Sequence, residues 1–249
     1  MKPRTKFSLL FIILMLFCPT VFGQAEIGQN DIGFKFSLEG QSFSKAVNIL
    51  ILLTMLSIVP SLIMMMTSFT RIVIVLNFLK QAMGTQSVPS AKIISALALF
   101  LSIFIMYPVY NRVYNDAIIP FSNEQLSEQE AIDIGIRHVK DFMLLQTRDN
   151  DLIMFMDLAG QKPVKTPNDL SLRIVIPAFL ISELKTAFQM GFLIYLPFLV
   201  IDLVIATLLM AMGMMMLPPI MISLPFKLLL FILVDGWGLL IYNLVASFG

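Results

Sequence analysis

Three long runs without a charged residue restrict what this chain can fold into more than any other feature. Residues 46–70 contain 25 consecutive uncharged residues, residues 93–111 contain 19, and residues 203–226 contain 24. A helix needs about 20 mainly apolar residues to cross the roughly 30 Å hydrocarbon core of a bilayer. Only 13% of the residues are charged, whereas soluble domains carry about 25%. We therefore predict an all-α integral membrane protein whose long, kinked helices form hairpins.

The N-terminus has the pattern of a secretory signal peptide. Three basic side chains within the first six residues precede an apolar stretch of 11 residues at 7–17, which is too short to span a bilayer comfortably. A roughly small-x-small end at 21–23 then provides a cleavage site. We expect residues 1–23 to be removed, with an uncleaved anchor as the alternative. Cleavage places an N-terminal segment, 24–45, in the periplasm.

The first two apolar runs predict a helical hairpin at 46–111. Arg71, Lys80 and Lys92 are the charged residues between the runs. Short loops rich in lysine and arginine stay on the cytoplasmic side of a membrane. We therefore predict a basic cytoplasmic loop at 71–92.

The extended polar part of the chain lies between the second and third apolar regions, at 112–173. It carries ten acidic and seven basic residues, and the topology makes it a helical periplasmic segment. Ser127 and Glu130 have the spacing of a capping box that begins a helix. His138 lies on the apolar face of that helix, where we expect a packed or surface residue. Glycine and proline predict a loop at 160–168.

The C-terminal part of the chain, 174–249, is apolar again but is interrupted by glycine and proline. Such segments are typical of the discontinuous helices that surround a transport path. Ordinary kinked spanning helices tolerate the same residues, because neighbouring helices satisfy the freed backbone groups, and both alternatives stay open. We predict a helical hairpin with a methionine-rich loop at 212–219. The interrupting residues are Pro177, Gly191, Pro197, Gly213, Pro218, Pro219 and Pro225.

Five charged side chains lie in or beside these apolar runs. Each would cost roughly 2.5–3.5 kcal/mol at the centre of a bilayer, so we predict that they form buried charge pairs or subunit contacts. Asp202 precedes Met215 by 13 residues, and Lys227 follows it by 12. If the chain reverses at that methionine, both side chains reach the same depth on antiparallel helices, and we expect them to meet. The five residues are Glu183, Lys185, Asp202, Lys227 and Asp235.

A polar stripe lies on one face of the helix predicted in this region. Ser182, Thr186 and Gln189 recur at i, i+4 and i+7, which brings their side chains to the same face. The stripe contacts a partner, or it is wetted by water if the helix is interfacial.

Several classes of function are excluded by what the chain lacks. Cys18 is the single cysteine and His138 the single histidine, which excludes a Cys/His metal site and makes Cys–His or Ser–His catalysis untenable. Asp202 and Asp235 do not occur in the Gly-x-Gly-Asp element of aspartyl intramembrane proteases. The chain also has no Gly-Lys-Ser/Thr phosphate loop and no basic patch for nucleic acid. We therefore expect no enzymatic activity, no cofactor and no metal.

Two stretches of the C-terminal region resemble the signatures of the FliP family. They are PAFLISELKTAFQMG at 177–191 and PFLVIDL at 197–203, and the resemblance covers roughly residues 45–249. This family comprises export-gate proteins of the flagellar type III secretion system, and the predicted signal peptide favours its flagellar branch over its injectisome branch. Further similarity lies at 67–71, 84–86, 142–148, 212–219, 224–227 and 234–237.

The resemblance implies partners and a location. Family members form homo-oligomers that assemble with FliQ-like and FliR-like subunits, and FlhA-like and FlhB-like proteins associate with that gate. The assembly lies in the bacterial inner membrane, within the flagellar basal body, and is surrounded by membrane lipid. Much of it stands above the membrane plane, so that apolar helices shield one another and buried charges lie at subunit contacts.

The resemblance also implies a mechanism. Unfolded flagellar proteins cross the inner membrane through the pore of the assembled gate, and a methionine-rich loop lines its narrowest part. In this sequence the ring consists of Met214, Met215 and Met216. Two alternatives stay open: a secondary transporter that uses Glu183 or Asp202 as an ion site, and a scaffold that nucleates the basal body.

Overall fold

The computed structural model describes residues 42–85, 88–161, 167–214 and 217–249. The predicted signal peptide and two of the three ring methionines, Met215 and Met216, lie outside the described residues. Residues 51–249 form one compact unit. Of residues 1–50, the description covers only the beginning of the first helix.

The described part of the chain consists of helices joined by short turns. A π-helix continues α3 into α4, and a 3₁₀ turn precedes α7. The elements are α1 (Ser42–Met65), α2 (Phe69–Ala82), α3 (Ala91–Val113), the π-helix (Tyr114–Ile118), α4 (Ile119–Ser122), α5 (Glu128–Gln146), α6 (Asp149–Leu158), the 3₁₀ turn (Pro167–Asp169), α7 (Leu172–Ala211), α8 (Pro219–Leu233) and α9 (Gly236–Ala246).

Two of these helices are long and apolar enough to cross a membrane. They are the continuous stretch Ala91–Ser122, with 32 residues, and α7, with 40. Two bent pairs, α1 with α2 at 74° and α8 with α9 at 65°, raise the number to four if each pair is one span. The predicted all-α membrane fold is confirmed.

The predicted basic loop at 71–92 is wrong over residues 71–82, which form most of α2. Ile72, Val75 and Leu76 lie on one face of α2 and are fully buried. Arg71 lies beside them with only 2% of its surface exposed. The positive charge does not require water at this position, because a carboxylate on α7 neutralises it.

The compact unit is built around α2 and α7, which pack along each other. Gly191 of α7 faces Phe78 of α2, and a Cβ at the glycine would lie 2.5 Å from the phenylalanine ring. Real Cβ atoms essentially never approach so closely. The close approach of the two helices therefore depends on a residue without a side chain.

The helix α7 is continuous through two prolines and one glycine. Pro177, Gly191 and Pro197 all lie inside it, so the helix is not discontinuous at these positions. At 1.5 Å per residue, the 40 residues of α7 extend about 60 Å, which is roughly twice the thickness of the hydrocarbon core. The chain first breaks at Gly213 and Pro218.

The predicted capping box begins α5 in the polar segment. The Ser127 Oγ accepts a hydrogen bond from the Glu130 N–H at 3.3 Å, and the Glu130 Oε2 accepts one from the Ser127 N–H at 2.9 Å. Hydrogen bonds from the Ser127 backbone and hydroxyl lower the pKa of the Glu130 carboxyl. Five residues of the predicted 160–168 loop, 162–166, lie outside the described residues.

His138 is packed in this segment, which agrees with the prediction. Only 17% of its side chain is exposed, and its Nε2 lies 2.9 Å from Oδ2 of Asp116 on the π-helix. The two side chains are in contact between α5 and the π-helix.

Candidate functional site

A buried ion pair joins the two central helices. The Arg71 Nε of α2 donates to the Glu183 Oε2 of α7 at 3.0 Å, and the Arg71 Nη2 donates to the other carboxylate oxygen. The two side chains are 2% and 0% exposed. A bidentate arginine–carboxylate pair fixes both the distance and the orientation of its partners. The predicted buried charge at Glu183 is thus paired within the chain.

The remaining Arg71 N–H groups bind two further parts of the fold. The Arg71 Nη1 donates to the Ser247 carbonyl at 2.9 Å and to its hydroxyl at 3.0 Å, and the Nη2 donates to the Gln146 Oε1 at 3.0 Å. The guanidinium carbon lies 3.8 Å from the centre of the Phe248 ring. The Gln146 Nε2 donates to the Phe248 carbonyl at 3.0 Å. One arginine therefore ties α2 to α7, to the end of α5 and to the residues that follow α9.

A second ion pair closes the α7–α8 hairpin. The Lys227 Nζ lies 2.6 Å from the Asp202 Oδ2, so the predicted meeting of these two residues is confirmed within one chain. The Ser223 hydroxyl donates to the other carboxylate oxygen. The same ammonium donates to the Ala82 carbonyl at 3.1 Å, where the C-terminus of α2 favours a positive charge.

The polar stripe on α7 faces Arg148, which lies between α5 and α6. The Arg148 backbone N–H donates to the Ser182 Oγ at 3.0 Å. Its Nη2 donates to the Thr186 Oγ1 at 3.1 Å and to the Gln189 Oε1 at 2.6 Å. All three stripe residues thus have a hydrogen-bond partner within the chain.

The last two predicted charges differ in their surroundings. Lys185 is about half exposed and pairs with Asp151, whose side chain is 1% exposed. Asp235 is exposed and adopts a left-handed conformation with φ +49°. Its carboxylate accepts from the Gly238 N–H at 3.4 Å and caps α9. The predicted burial of Asp235 within the chain is wrong, because the residue caps the exposed N-terminus of α9. Its contact with another subunit stays a prediction.

The methionine-rich segment begins with a defined turn. The Gly213 N–H donates to the Met210 carbonyl at 3.0 Å, and the Met214 N–H donates to the Leu209 carbonyl at 2.9 Å. This is a Schellman motif, which requires a left-handed residue after the helix, and Gly213 has φ +76°. Met212 is 69% exposed. The turn therefore presents apolar side chains at the tip of a hairpin that the Asp202–Lys227 pair fastens.

The sequence model of the FliP family matches residues 52–244. This range includes both ion pairs, the polar stripe and the methionine turn. The chain belongs to the FliP family. It is a flagellar biosynthetic protein and a component of the flagellar export apparatus, and its family is not enzymatic.

Several curated relatives named flagellar biosynthetic protein FliP share about half of their residues with this chain. The relative from Pectobacterium carotovorum subsp. carotovorum is 53% identical over 209 residues, which are 84% of this chain and 81% of the relative. The relative from Cereibacter sphaeroides is 52% identical over 84% of this chain and 69% of its own length. The Bacillus subtilis relative is 48% identical over 85% of this chain and 96% of its own length.

Two arginines of this FliP-family chain make hydrogen bonds in the site that the sequence does not predict. The charge pattern places Arg71 in a loop, and no local pattern gives Arg148 a role. Each binds partners far away in the chain, 112 residues away for the bond to Glu183, so no local spacing reveals the pair. The family resemblance at 67–71 and 142–148 was the signal that marked both arginines.

Proposed function

We propose that this chain is a core subunit of the pore of the flagellar export gate. It assembles with further copies of itself and with FliQ-like and FliR-like subunits, and FlhA-like and FlhB-like proteins associate with that assembly. Unfolded flagellar proteins cross the inner membrane through the pore. The observation that carries the proposal is the α7–α8 hairpin, whose arms are joined by the Asp202–Lys227 ion pair and whose connecting sequence at 212–218 is rich in methionine.

The methionine tip suits a seal that must open for substrates of many sequences. Thioether side chains are flexible and polarizable and repack around different partners. In this proposal Met214, Met215 and Met216 of several copies form a compressible ring. Rings of apolar side chains close a pore by excluding water. Met212 and Leu217 are 69% and 44% exposed in the single chain, so the tip offers apolar surface to neighbouring copies.

The two ion pairs hold both arms of the hairpin against α2 and hold the arms to each other. Lys227 is bound by both Asp202 and the end of α2, and Glu183 is bound by Arg71. The carboxylates that a secondary transporter would use as an ion site are thus each held by a cationic side chain. This favours a gate over a transporter. A role as a nucleating scaffold is compatible with the gate.

The length of α7 supports a placement in which part of this helix lies outside the lipid bilayer. A helix of about 60 Å extends beyond a single hydrocarbon core. We propose that residues 112–173 lie on the periplasmic side of the membrane. The assembly belongs to the inner-membrane part of the basal body. Residues 1–23 act as the signal peptide in this proposal, and 24–45 follow in the periplasm.

Simultaneous replacement of Met214, Met215 and Met216 by alanine tests the seal. We expect the assembled gate, reconstituted with its FliQ-like and FliR-like subunits, to leak small ions while the subunits still co-purify. The matched control replaces the other run of three methionines, 64–66, of which the first two are the last residues of α1. A gate that stays tight in the 214–216 variant, with assembly intact, contradicts the proposal.

A further inference from the structure

The two residues that follow α9 and its C-cap turn, 247–248, are held by side chains from other helices, and we call them the strap. The Arg71 Nη1 of α2 donates to the carbonyl of Ser247 at 2.9 Å and to its hydroxyl at 3.0 Å. The Gln146 Nε2 at the end of α5 donates to the Phe248 carbonyl at 3.0 Å. The guanidinium carbon of Arg71 lies 3.8 Å from the centre of the Phe248 ring, where the aromatic face attracts a cation.

The strap also packs into the apolar interior. Phe248 packs against two core clusters, one that includes Phe179 and one that includes Leu76. Leu244, one turn earlier on α9, is fully buried, and its carbonyl accepts a hydrogen bond from the Ser247 hydroxyl at 2.7 Å. All of these contacts are made within one chain. A neighbouring subunit that covered the surface of this chain would therefore leave them in place.

The corner between α8 and α9 keeps these two helices at a set angle. They meet at 65°, and Asp235 at the corner has φ +49°, a conformation that a residue other than glycine keeps only when its surroundings enforce it. A Cβ at Gly236 would lie 2.2 Å from the Phe231 ring. The Trp237 ring packs edge to face on the same phenylalanine, with 5.5 Å between the ring centres. Because the corner is closely packed, we treat α8 and α9 as one unit.

This α8–α9 unit is tied to the rest of the fold near its middle and at its far end. The middle tie is Lys227, which binds Asp202 of α7 and the Ala82 carbonyl of α2. The first residue of α8 lies about 12 Å from Lys227 along the helix axis, and the strap is the tie at the opposite end of the unit. A single tie would allow the unit to rock, whereas two ties determine its tilt. The methionine turn directly precedes α8, so its position follows that tilt.

We propose that Ser247 and Phe248 are positioning residues for the methionine turn. The inference rests on the proposed function, in which that turn contributes to the seal of the pore. By holding the far end of the α8–α9 unit on Arg71, the strap prevents rocking about Lys227 and keeps the turn at one level. A gate without the strap keeps its methionines but presents them at variable positions.

The distance between two spin labels in the full-length chain tests this positioning. The single cysteine is replaced (C18S), and M221C at the start of α8 and L193C on α7 provide label sites that are 72% and 65% exposed. Helical rise counted from the Asp202–Lys227 pair places the two sites about 22 Å apart along the helix axes. The labelled chain is measured in nanodiscs.

We expect F248A to shift or broaden the distance distribution. A rocking of about 20° about Lys227 would move position 221 by about 3 Å, and this is the size of the change that we expect. F248W keeps an aromatic face for the guanidinium and should restore the original distribution. L152A truncates a buried core residue of α6 that belongs neither to the strap nor to the α8–α9 unit, so it should lower stability and leave the distance unchanged.

A second variant keeps the test decisive if F248A does not fold. Q146M removes the donor to the Phe248 carbonyl but leaves the ring in place, so it should give a smaller change of the same kind. An unaltered distance in a folded F248A or Q146M chain overturns the proposal. A change in L152A as large as that in F248A also overturns it, because the effect would then be a general loss of stability.

Ion conductance of the assembled gate separates this inference from the proposed function. We expect F248A to leak small ions several-fold more than the unaltered gate, as the alanine variant of 214–216 should. A tight F248A gate beside a leaking 214–216 variant overturns the role of the strap alone. A changed distance with neither variant leaking overturns the proposed seal and leaves the hold of the strap on α8 intact.

Discussion

Removal of the charge on Glu183 should lower the stability of the chain strongly. In a Glu183→Gln variant the Arg71 guanidinium keeps its place, 2% exposed, but loses its counterion. Breaking a buried ion pair from one side typically costs about 3–5 kcal/mol, because the remaining charge is left uncompensated. At about 1.4 kcal/mol per factor of ten, the folding equilibrium should decrease by roughly two to four powers of ten.

The double variant separates a lost ion pair from lost packing. With methionine at both 71 and 183, no charge is left buried, although Gln146 and Ser247 lose their donor. We therefore expect the double variant to lose less stability than the sum of the two single methionine variants. Denaturant unfolding of the purified chain in detergent, monitored by Trp237 fluorescence, gives each free energy. Arg137→Met, at an exposed arginine of α5, is the control.

The result that would refute this reasoning is additivity. The free-energy costs of mutations at independent sites add within about 0.3–0.5 kcal/mol. If the costs at Arg71 and Glu183 add within that margin, the two side chains do not stabilise each other.

Three further changes test other parts of the structure. Lys227→Met should lower the free energy of unfolding by about 1.5–3 kcal/mol, the value of hydrogen bonds to a charged group. Adding Asp202→Asn should lower it little further, because the partner charge is already gone. If thermal unfolding shows that the two changes act independently, the ion pair does not stabilise the fold. Gly191→Ala should lower the free energy of unfolding by about 1–3 kcal/mol, because the added methyl group overpacks the contact with Phe78. In a Phe78→Ala background the same change should cost less. An equal cost in both backgrounds would show that the two helices do not touch there. The pKa of Glu130 is lowered in the folded state. The ionised carboxylate therefore contributes to folding stability above the ordinary glutamate pKa of about 4.3. This contribution is lost as the pH falls through the lower folded-state pKa. Glu130→Gln should flatten this part of the curve of melting temperature against pH, and an unchanged curve would contradict the capping box.

Local patterns predicted the features whose partners lie close in sequence. The capping box depends on residues three positions apart, and the reversal at 212–219 depends on a glycine and a pair of prolines. The approach of Asp202 and Lys227 followed from counting helical rise on either side of one turn. These features needed no knowledge of which helices pack together.

The features that the sequence did not predict depend on packing between distant helices. Arg71 was expected in a loop because a charge between apolar runs normally marks one, and only its pairing with Glu183 makes burial tolerable. Pro177 and Pro197 were compatible with broken or continuous helices, since neighbouring helices decide whether the freed carbonyls are satisfied. Arg148 lies outside the apolar runs, so its contact with the α7 stripe had no local pattern.

The distance along the chain between Arg71 and Glu183 has a consequence for biosynthesis. A ribosome adds about 5–20 residues per second, so the 112 residues between them take roughly 6–22 s to synthesise. During that interval Arg71 has no carboxylate from α7, and its desolvation would be costly. The helix that carries it must stay hydrated until α7 emerges. The first bent helix pair therefore reaches its final depth after the long central helix has been made, so the order of burial differs from the order of translation.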